Sequence, residues 1–400
     1  MNKKMIIWGS GVMLLLLFVI LGVYGVRLYQ EKHAKVEVQL VENLVAEVGS
    51  SAKLTDYIVS LNGTMPEEQM IDTKTLGWKV LSFSYINDDQ FPVNYHFSVE
   101  VVDTTKPIVW LGKSYTVSVG SNEDFINKIM CADNYDKQPI CKLVGEYDLN
   151  TVGSYPVVLE AVDSSGNQLN HEFQLNVVEP KKGGSSSTPT KTIFGEALST
   201  YKNEHTEMGL DLSFWQGDVD FHTLKANGVE FVFLRVGTST GIDGEYVLDK
   251  KFEQNISRAT EAGIPVGIYF YSYANSEVRA REDAKWVLEQ IKDKNVTLPI
   301  AFDWENWGFY NEFHLSLMGL SDMASGFIDE VKKAGYEGML YSSKSYLEKV
   351  WPEHEHKVWL AHYTNQTNYQ GEYEYWQMCS DGVIPGIQGF VDINIRYKKT

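Results

Sequence analysis

The chain has 400 residues, 44% of them hydrophobic and 13% aromatic, which exceeds one domain and suffices for packed cores, so two or more globular units are expected and a disordered chain is excluded. Its formal charge of −18 at pH 7 argues against nucleic acid as a partner, because phosphate recognition needs concentrated Lys and Arg to outweigh general repulsion.

An apolar segment free of charge runs from Met5 to Val26, interrupted only by small residues such as Gly9, Ser10 and Gly11. As a helix rising about 1.5 Å per residue it would reach across a hydrocarbon core of roughly 30 Å. A cleaved signal peptide would show an apolar region of about 7 to 15 residues ending in an A-x-A-like site, and the segment shows neither. Residues 1–35 are therefore expected to be a cytoplasmic stub and transmembrane anchor, touching the lipid bilayer through residues 5–26. Lys3 and Lys4 precede the segment while Arg27, Lys32 and Lys35 follow it, so charge leaves its orientation open.

Residues 36–180 read as one unit written twice. The stretch "DTKTLGWKV" from Asp72 recurs as "DLNTVGSYPV" from Asp148, and "FSVEVVD" from Phe97 recurs as "FQLNVVE" from Phe173, both at an offset of 76 residues. "EVGSS" at 47–51 recurs as "SVGSN" at 118–122 at an offset of 71, which implies a five-residue insertion in the second copy. Self-similarity at a fixed period is a structural repeat. Runs of period two, such as Phe173, Leu175 and Val177, bounded by turns such as "SSGN" at 164–167, predict small antiparallel sandwiches over 36–104 and 105–180. Both copies resemble bacterial immunoglobulin-like domains, with "DTTKP" at 103–107 as their junction, and a spacer is favoured over an adhesive module.

Cys131 and Cys141 bracket the insertion and in an oxidising exterior can close a disulfide across it, two unpaired thiols being the alternative. Cys379 has no partner within its own domain. The run "KKGGSSSTPTKT" from Lys181 has the composition of a tether, and a flexible linker is expected over 181–205.

From residue 206 to 400 strands and helices alternate. Candidate strands are "MGLDLSF", "EFVFLRV", "VGIYFYSYA", "PIAFDWE", "GMLYSS", "KVWLAHY", "YEYWQM" and "VDINIRY". One helix begins at a Ser276 N-cap and carries Ala280, Ala284, Val287, Leu288 and Ile291 on one face; another reads Phe252, Ile256, Ala259 and stops at Gly263. About eight strands alternating with helices predict an α/β barrel of the TIM type.

Strand parity then places the chemistry, since successive side chains point to opposite faces. Leu210 and Leu212 oppose Asp211 and Ser213; Ile268 and Phe270 oppose Tyr269 and Tyr271; Ile300, Phe302 and Trp304 oppose Asp303 and Glu305; Val391 and Ile393 oppose Asp392 and Asn394. Each strand thus offers an oily face to the helices and a polar or tyrosine-rich face to the barrel mouth. Four carboxyls crowded under aromatic walls would leave one protonated beside ionised neighbours, which glycoside cleavage requires. A metal site is the rival reading, but the cluster holds no histidine, and "HEH" at 354–356 lies in a loop without a matching ligand set. No metal and no cofactor are expected.

The motifs "MGLDLSFWQGDVDF", "GIPVGIYFYSYA", "IAFDWEN", "WLAHY" and "WQMCSDGVIPGIQGFVDIN" closely resemble, in order, those of the glycoside hydrolase family 25 muramidases over residues 206–397. The resemblance implies cleavage of the β-1,4 bond between N-acetylmuramic acid and N-acetylglucosamine in peptidoglycan. It also implies Glu305 as general acid, Asp303 as the group that orients and polarises the substrate's 2-acetamido group, and Asp211 and Asp392 as acids shaping the groove. Trp215, Tyr269, Tyr271, Tyr341, Tyr363, Trp376, Gln377 and Asn394, all within these motifs or strands, are the candidate substrate contacts. Trp304 stands where a smaller aliphatic residue is usual, and its parity turns it toward the helices. A substrate outside the cell would place everything after about residue 27 on the extracellular side of a single-pass anchor. The alternative function is a catalytically silent peptidoglycan-binding or wall-assembly protein; partners in the wall machinery stay open.

Overall fold

The computed structural model describes residues 3–180, 191–351 and 355–398, with side chains at residue 17 and from residue 19 onward. The chain divides into two compact units, Met1–Thr104 and Thr105–Thr400.

The first unit opens with the helix Lys3–Lys32. The expected anchor is overturned: among the described residues no helix is long and apolar enough to cross a membrane. The apolar residues 5–16 lie outside the described side chains. Toward its end the helix carries Arg27, Glu31 and Lys32, charges that a hydrocarbon core penalises. The transmembrane class and the single-pass placement at the cell membrane fall with the anchor.

Beyond it, Gly77–Ile86 pairs antiparallel with Pro92–Val102, which pairs parallel with Val45–Glu47. Alternation buries Leu81, Phe83, Tyr85, Phe97, Val99 and Val101 on one face. In the second unit Gly153–Val162 pairs antiparallel with Gln168–Val178, which pairs parallel with Ser114–Ser118. The long strands begin 76 residues after their counterparts, Gly77 to Gly153 and Pro92 to Gln168. The short strands recur at 71: Glu47 pairs with Val102 and Ser118 with Val178. A disulfide joins Cys131 to Cys141, while Cys379 is a free, buried thiol.

Part of the expected linker is structured. Residues 181–190 lie outside the described residues, but Thr192–Ile193 forms a strand and Phe194–Tyr201 a helix. Phe194, Ala197, Leu198 and Tyr201 repeat at helical spacing, and this stripe packs on the barrel's outer core.

Eight strands close the barrel: β1 Thr206–Leu212, β2 Phe231–Ser239, β3 Val266–Tyr271, β4 Ile300–Asp303, β5 Gly338–Ser343, β6 Lys357–Ala361, β7 Tyr375–Val383 and β8 Val391–Tyr397. β1 to β7 run parallel, and β8 is antiparallel to both β1 and β7, closing the ring. Leu210, Leu212, Ile268, Phe270, Ile300, Phe302, Ile393 and Trp304 face the helical layer, while Phe231, Phe233, Met339, Trp359 and Tyr375 fill the interior. Gly209 and Gly267 make that filling possible, because a Cβ at either would collide with the Phe231 or Phe233 ring. The helix Glu277–Ile291 is capped by Ser276, whose side chain accepts from the Arg279 N–H, and Phe252–Glu261 ends before Gly263 at φ 68°.

Candidate active site

Parallel strands put their C-terminal ends on one side, where barrel enzymes place their chemistry. Interstrand register gathers the acids there. Asp211 is the direct partner of Asp392 across β1 and β8, Tyr271 of Asp303 across β3 and β4, and Asp303 of Tyr341 across β4 and β5. Asp211, Asp303, Glu305 and Asp392 line one cleft together with Trp215, Tyr269, Tyr271, Tyr341, Tyr363 and Gln377.

Three bonds shape the turn after β4. The Ser272 N–H donates to the Asp303 carbonyl at 2.7 Å, Asn306 Nδ2 to the Ser272 carbonyl at 3.0 Å, and Trp304 Nε1 to the Ala274 carbonyl at 3.0 Å. Trp304 is fully buried and packs edge-on against Trp307, Tyr310 and Phe313, which fixes the segment between the two acids.

A directed chain of hydrogen bonds holds Asp211. The indole N–H of Trp359 donates to Asn394 Oδ1 at 2.8 Å, so the Asn394 amide nitrogen must face Asp211 and donates to its Oδ2 at 2.8 Å. Tyr341 and Tyr363 donate to Gln377 Oε1 at 2.9 and 3.1 Å, and Gln377 Nε2 donates to the same Asp211 oxygen at 2.9 Å. Burial raises Asp211 to about 6, against the pull of these two amides and with a further push from the charge of Glu305. Burial, then the charge of Asp211, raises Asp392 to about 8.

Asp303 and Glu305 are hydrogen-bonded to each other and titrate together. Burial and then the charge of Glu305 push Asp303 well above the usual carboxylate range. Glu305 opens to the cleft; burial raises it too, but hydrogen bonds from Tyr341 and Asp303 restrain the rise. The free pair therefore keeps its proton on Asp303. Asp303 Oδ1 is buried and without a hydrogen-bond partner in the protein.

Trp215 lies beyond β1 on the short 3-10 turn Phe214–Gln216 and is 75% exposed at the cleft edge. Asn394 is buried behind Asp211. Trp376 is not brought to the cleft: its neighbours Tyr375 and Gln377 point inward, so it points outward, bonding to the His362 carbonyl and meeting Tyr201 edge-on. Of the 354–356 group, His354 lies outside the described residues, and His356 meets Ser325 Oγ at 3.0 Å. Sequence reasoning missed Arg235, Trp359 and Gln216 as cleft residues, while Ser213 lies there as its parity predicted. Arg235 carried a usable signal, a lone charge in the apolar run "FVFLRV" with the parity of Phe231 and Phe233. Its Nε and Nη2 bind Asp249 Oδ2 at 2.9 and 2.8 Å, and its charge lowers Asp303.

Residues 210–387 match the model of the family described as "Glycosyl hydrolases family 25". The chain is 26% identical over 199 residues to an uncharacterised protein, YegX, of Escherichia coli K12, covering 48% of this chain and 70% of that one. It is 24% identical over 194 residues to the autolytic lysozyme of Clostridium acetobutylicum, covering 46% and 54%, and 24% identical over 204 residues to lysozyme M1 of Streptomyces globisporus, covering 46% and 66%. Among solved structures, the modular autolysin LytC of Streptococcus pneumoniae, in complex with a synthetic peptidoglycan ligand, aligns with a TM-score of 0.44 at 27% identity, over 60% of this chain and 56% of that one. The chain thus spans little more than half the length of the autolysin and of the Clostridium lysozyme. The family match and the acid-lined mouth fall on the same barrel, which supports a glycoside hydrolase in the C-terminal region of this chain, similar to family 25.

Proposed function

We propose that this protein hydrolyses the β-1,4 bond between N-acetylmuramic acid and N-acetylglucosamine in peptidoglycan strands, with residues 206–400 as the catalytic domain and the preceding sandwiches, over 36–104 and 105–180, as a spacer. The observation that carries the reading is the convergence of four carboxyls with Tyr271, Tyr341 and Tyr363 in one cleft. Aromatic faces suit the apolar faces of sugars, and paired carboxyls supply the proton and the negative charge that an oxocarbenium-like centre needs.

The hydrogen bond between Asp303 and Glu305 favours attack by the substrate's own 2-acetamido oxygen over a water activated within that pair. Asp303 Oδ1 is an acceptor awaiting a donor. When the acetamido N–H bonds to it, ionised Asp303 is favoured and the shared proton moves to Glu305. Glu305 then protonates the leaving oxygen as Asp303 draws the amide proton and sharpens the acetamido oxygen as nucleophile. Tyr341 has one phenol proton, and because Tyr363 also reaches Gln377 Oε1, Tyr341 is free to turn to Glu305 once that group is ionised.

The test is release of new muramic acid reducing ends from purified peptidoglycan by the full chain, with Glu305→Gln as control. Equal release by both would sink the reading, and retention on insoluble peptidoglycan without turnover would turn it into a silent binding protein.

A further inference from the structure

The second sandwich packs against the barrel beside the catalytic mouth. Its Met130 and Ala132 are buried in the same apolar core as the barrel's outer layer. Asn311, on the short helix Tyr310–Phe313 that follows β4, accepts the Cys131 N–H at 3.0 Å and donates to the Asn127 and Ile129 carbonyls at 3.0 and 2.9 Å. The Leu317 and Met318 N–H groups donate to the Asp133 and Asn134 carbonyls at 2.8 and 3.1 Å. The segment that follows Glu305 is thus bonded to the sandwich at Asn311 and again at Leu317 and Met318.

From the same side Trp110 stacks on Tyr346 with ring centroids 4.7 Å apart, and Tyr346 stacks on Trp307 at 3.9 Å. Lys349 Nζ lies 5.5 Å from the Trp110 ring. Trp307 and Tyr346 wall a pocket of about 310 Å³ that also touches Glu305, Tyr341 and Tyr363. Glu305 belongs both to this pocket and to the acid cleft, so the pocket prolongs the cleft past the general acid. Trp110 does not line the pocket; it reaches it only through Tyr346.

We propose that the second sandwich is a working part of the hydrolase: Trp110 is a positioning residue that clamps Tyr346 against Trp307 and so fixes the ring edges that form the pocket wall against which one sugar ring of an N-acetylated glycan packs beside Glu305. The proposal rests on the glycan-cleaving reading above. Tyr346 sits on the six-residue helix Lys344–Lys349, too short to hold its own ring in place. A ring sandwiched between two others has already lost its rotamer freedom, so the glycan need not order it on binding.

Full-length Trp110→Ala, Trp110→Phe and Asn311→Ala are compared with the unaltered chain on purified peptidoglycan, and each is also combined with Glu305→Gln to measure binding of N-acetylglucosamine–N-acetylmuramic acid oligosaccharides. Loss of one stacked aromatic predicts that Trp110→Ala raises KM about threefold to tenfold while kcat stays within about twofold. Oligosaccharide affinity in the E305Q background falls by the same factor, Trp110→Phe restores both, and Asn311→Ala raises KM in the same direction. Unchanged KM and affinity in Trp110→Ala and Asn311→Ala overturn the proposal, as does a loss confined to kcat. Should Trp110→Ala not fold, Asn311→Ala decides by the same criterion. Cleavage by Glu305→Gln at the unaltered rate would instead overturn the hydrolase reading, which keeps the two failures apart.

Discussion

Asp211 and Asp392 face each other as direct partners in the antiparallel pairing of β1 with β8, two carboxyls brought side by side at the barrel mouth. Like charges so placed oppose one another. Asp211 has the Asn394 and Gln377 amides to support its charge, and the rise is correspondingly larger for Asp392, to about 8 against about 6. The register of two strands therefore assigns the neutral acid and the ionised one near neutral pH.

Asp392→Asn should stabilise the fold in a pH-dependent way. The folded value of Asp392 lies above its unfolded value, so its contribution is intact below about pH 4 and is lost as pH rises toward 8, while the unfolded chain ionises freely. The variant should match the unaltered chain at pH 4 and gain on the order of 1–3 kcal/mol by pH 8. Thermal melts at the two pH values check it; an equal gain at both would refute the burial argument.

Glu305→Gln and Asp303→Asn should each cut kcat by roughly a hundredfold to ten-thousandfold with little change in KM, the range for loss of a proton-transferring group. Asp303→Asn should also move the alkaline limb of the residual activity to lower pH, because the like charge that holds the pair's last proton is gone. A limb that stays in place would show that the two carboxyls do not share a proton.

Asn394→Ala removes one of the two amides that favour ionised Asp211, so the Asp211 titration should move upward, by about a pH unit or less. Carboxyl-carbon NMR of the unaltered chain and the variant measures this without recourse to turnover. Trp359→Phe, which frees the Asn394 carbonyl rather than its amide nitrogen, should give a smaller shift in the same direction.

Reduction of the Cys131–Cys141 disulfide opens a loop with a sequence separation of 10 residues. A loop of that size is worth about 2–3 kcal/mol through the unfolded chain. Melting with and without reductant should show a lowered midpoint, and Cys141→Ser should reproduce it; identical midpoints would mean that the bridge constrains nothing.

What could be read from the sequence was local. All eight candidate strands from "MGLDLSF" to "VDINIRY" are barrel strands, and the division between Leu210 and Asp211, or Phe302 and Asp303, follows from period-two geometry that needs no knowledge of neighbours. The repeat was legible for the same reason: identical spacing makes identical strands 76 residues on. Where the chain must meet distant parts of itself, local reasoning ran out. The antiparallel return of β8, the outward turn of Trp376 and the docking of Trp110 on Tyr346 depend on pairings set by closure of the ring and packing between domains. The helix Phe194–Tyr201 was hidden by the polar tether before it, and the anchor inferred from apolar length alone did not survive. Above all, residue types announce that carboxyls are present, but which one keeps a proton is an electrostatic property of burial and of donors contributed by strands far apart in the chain, and only the assembled barrel decides it.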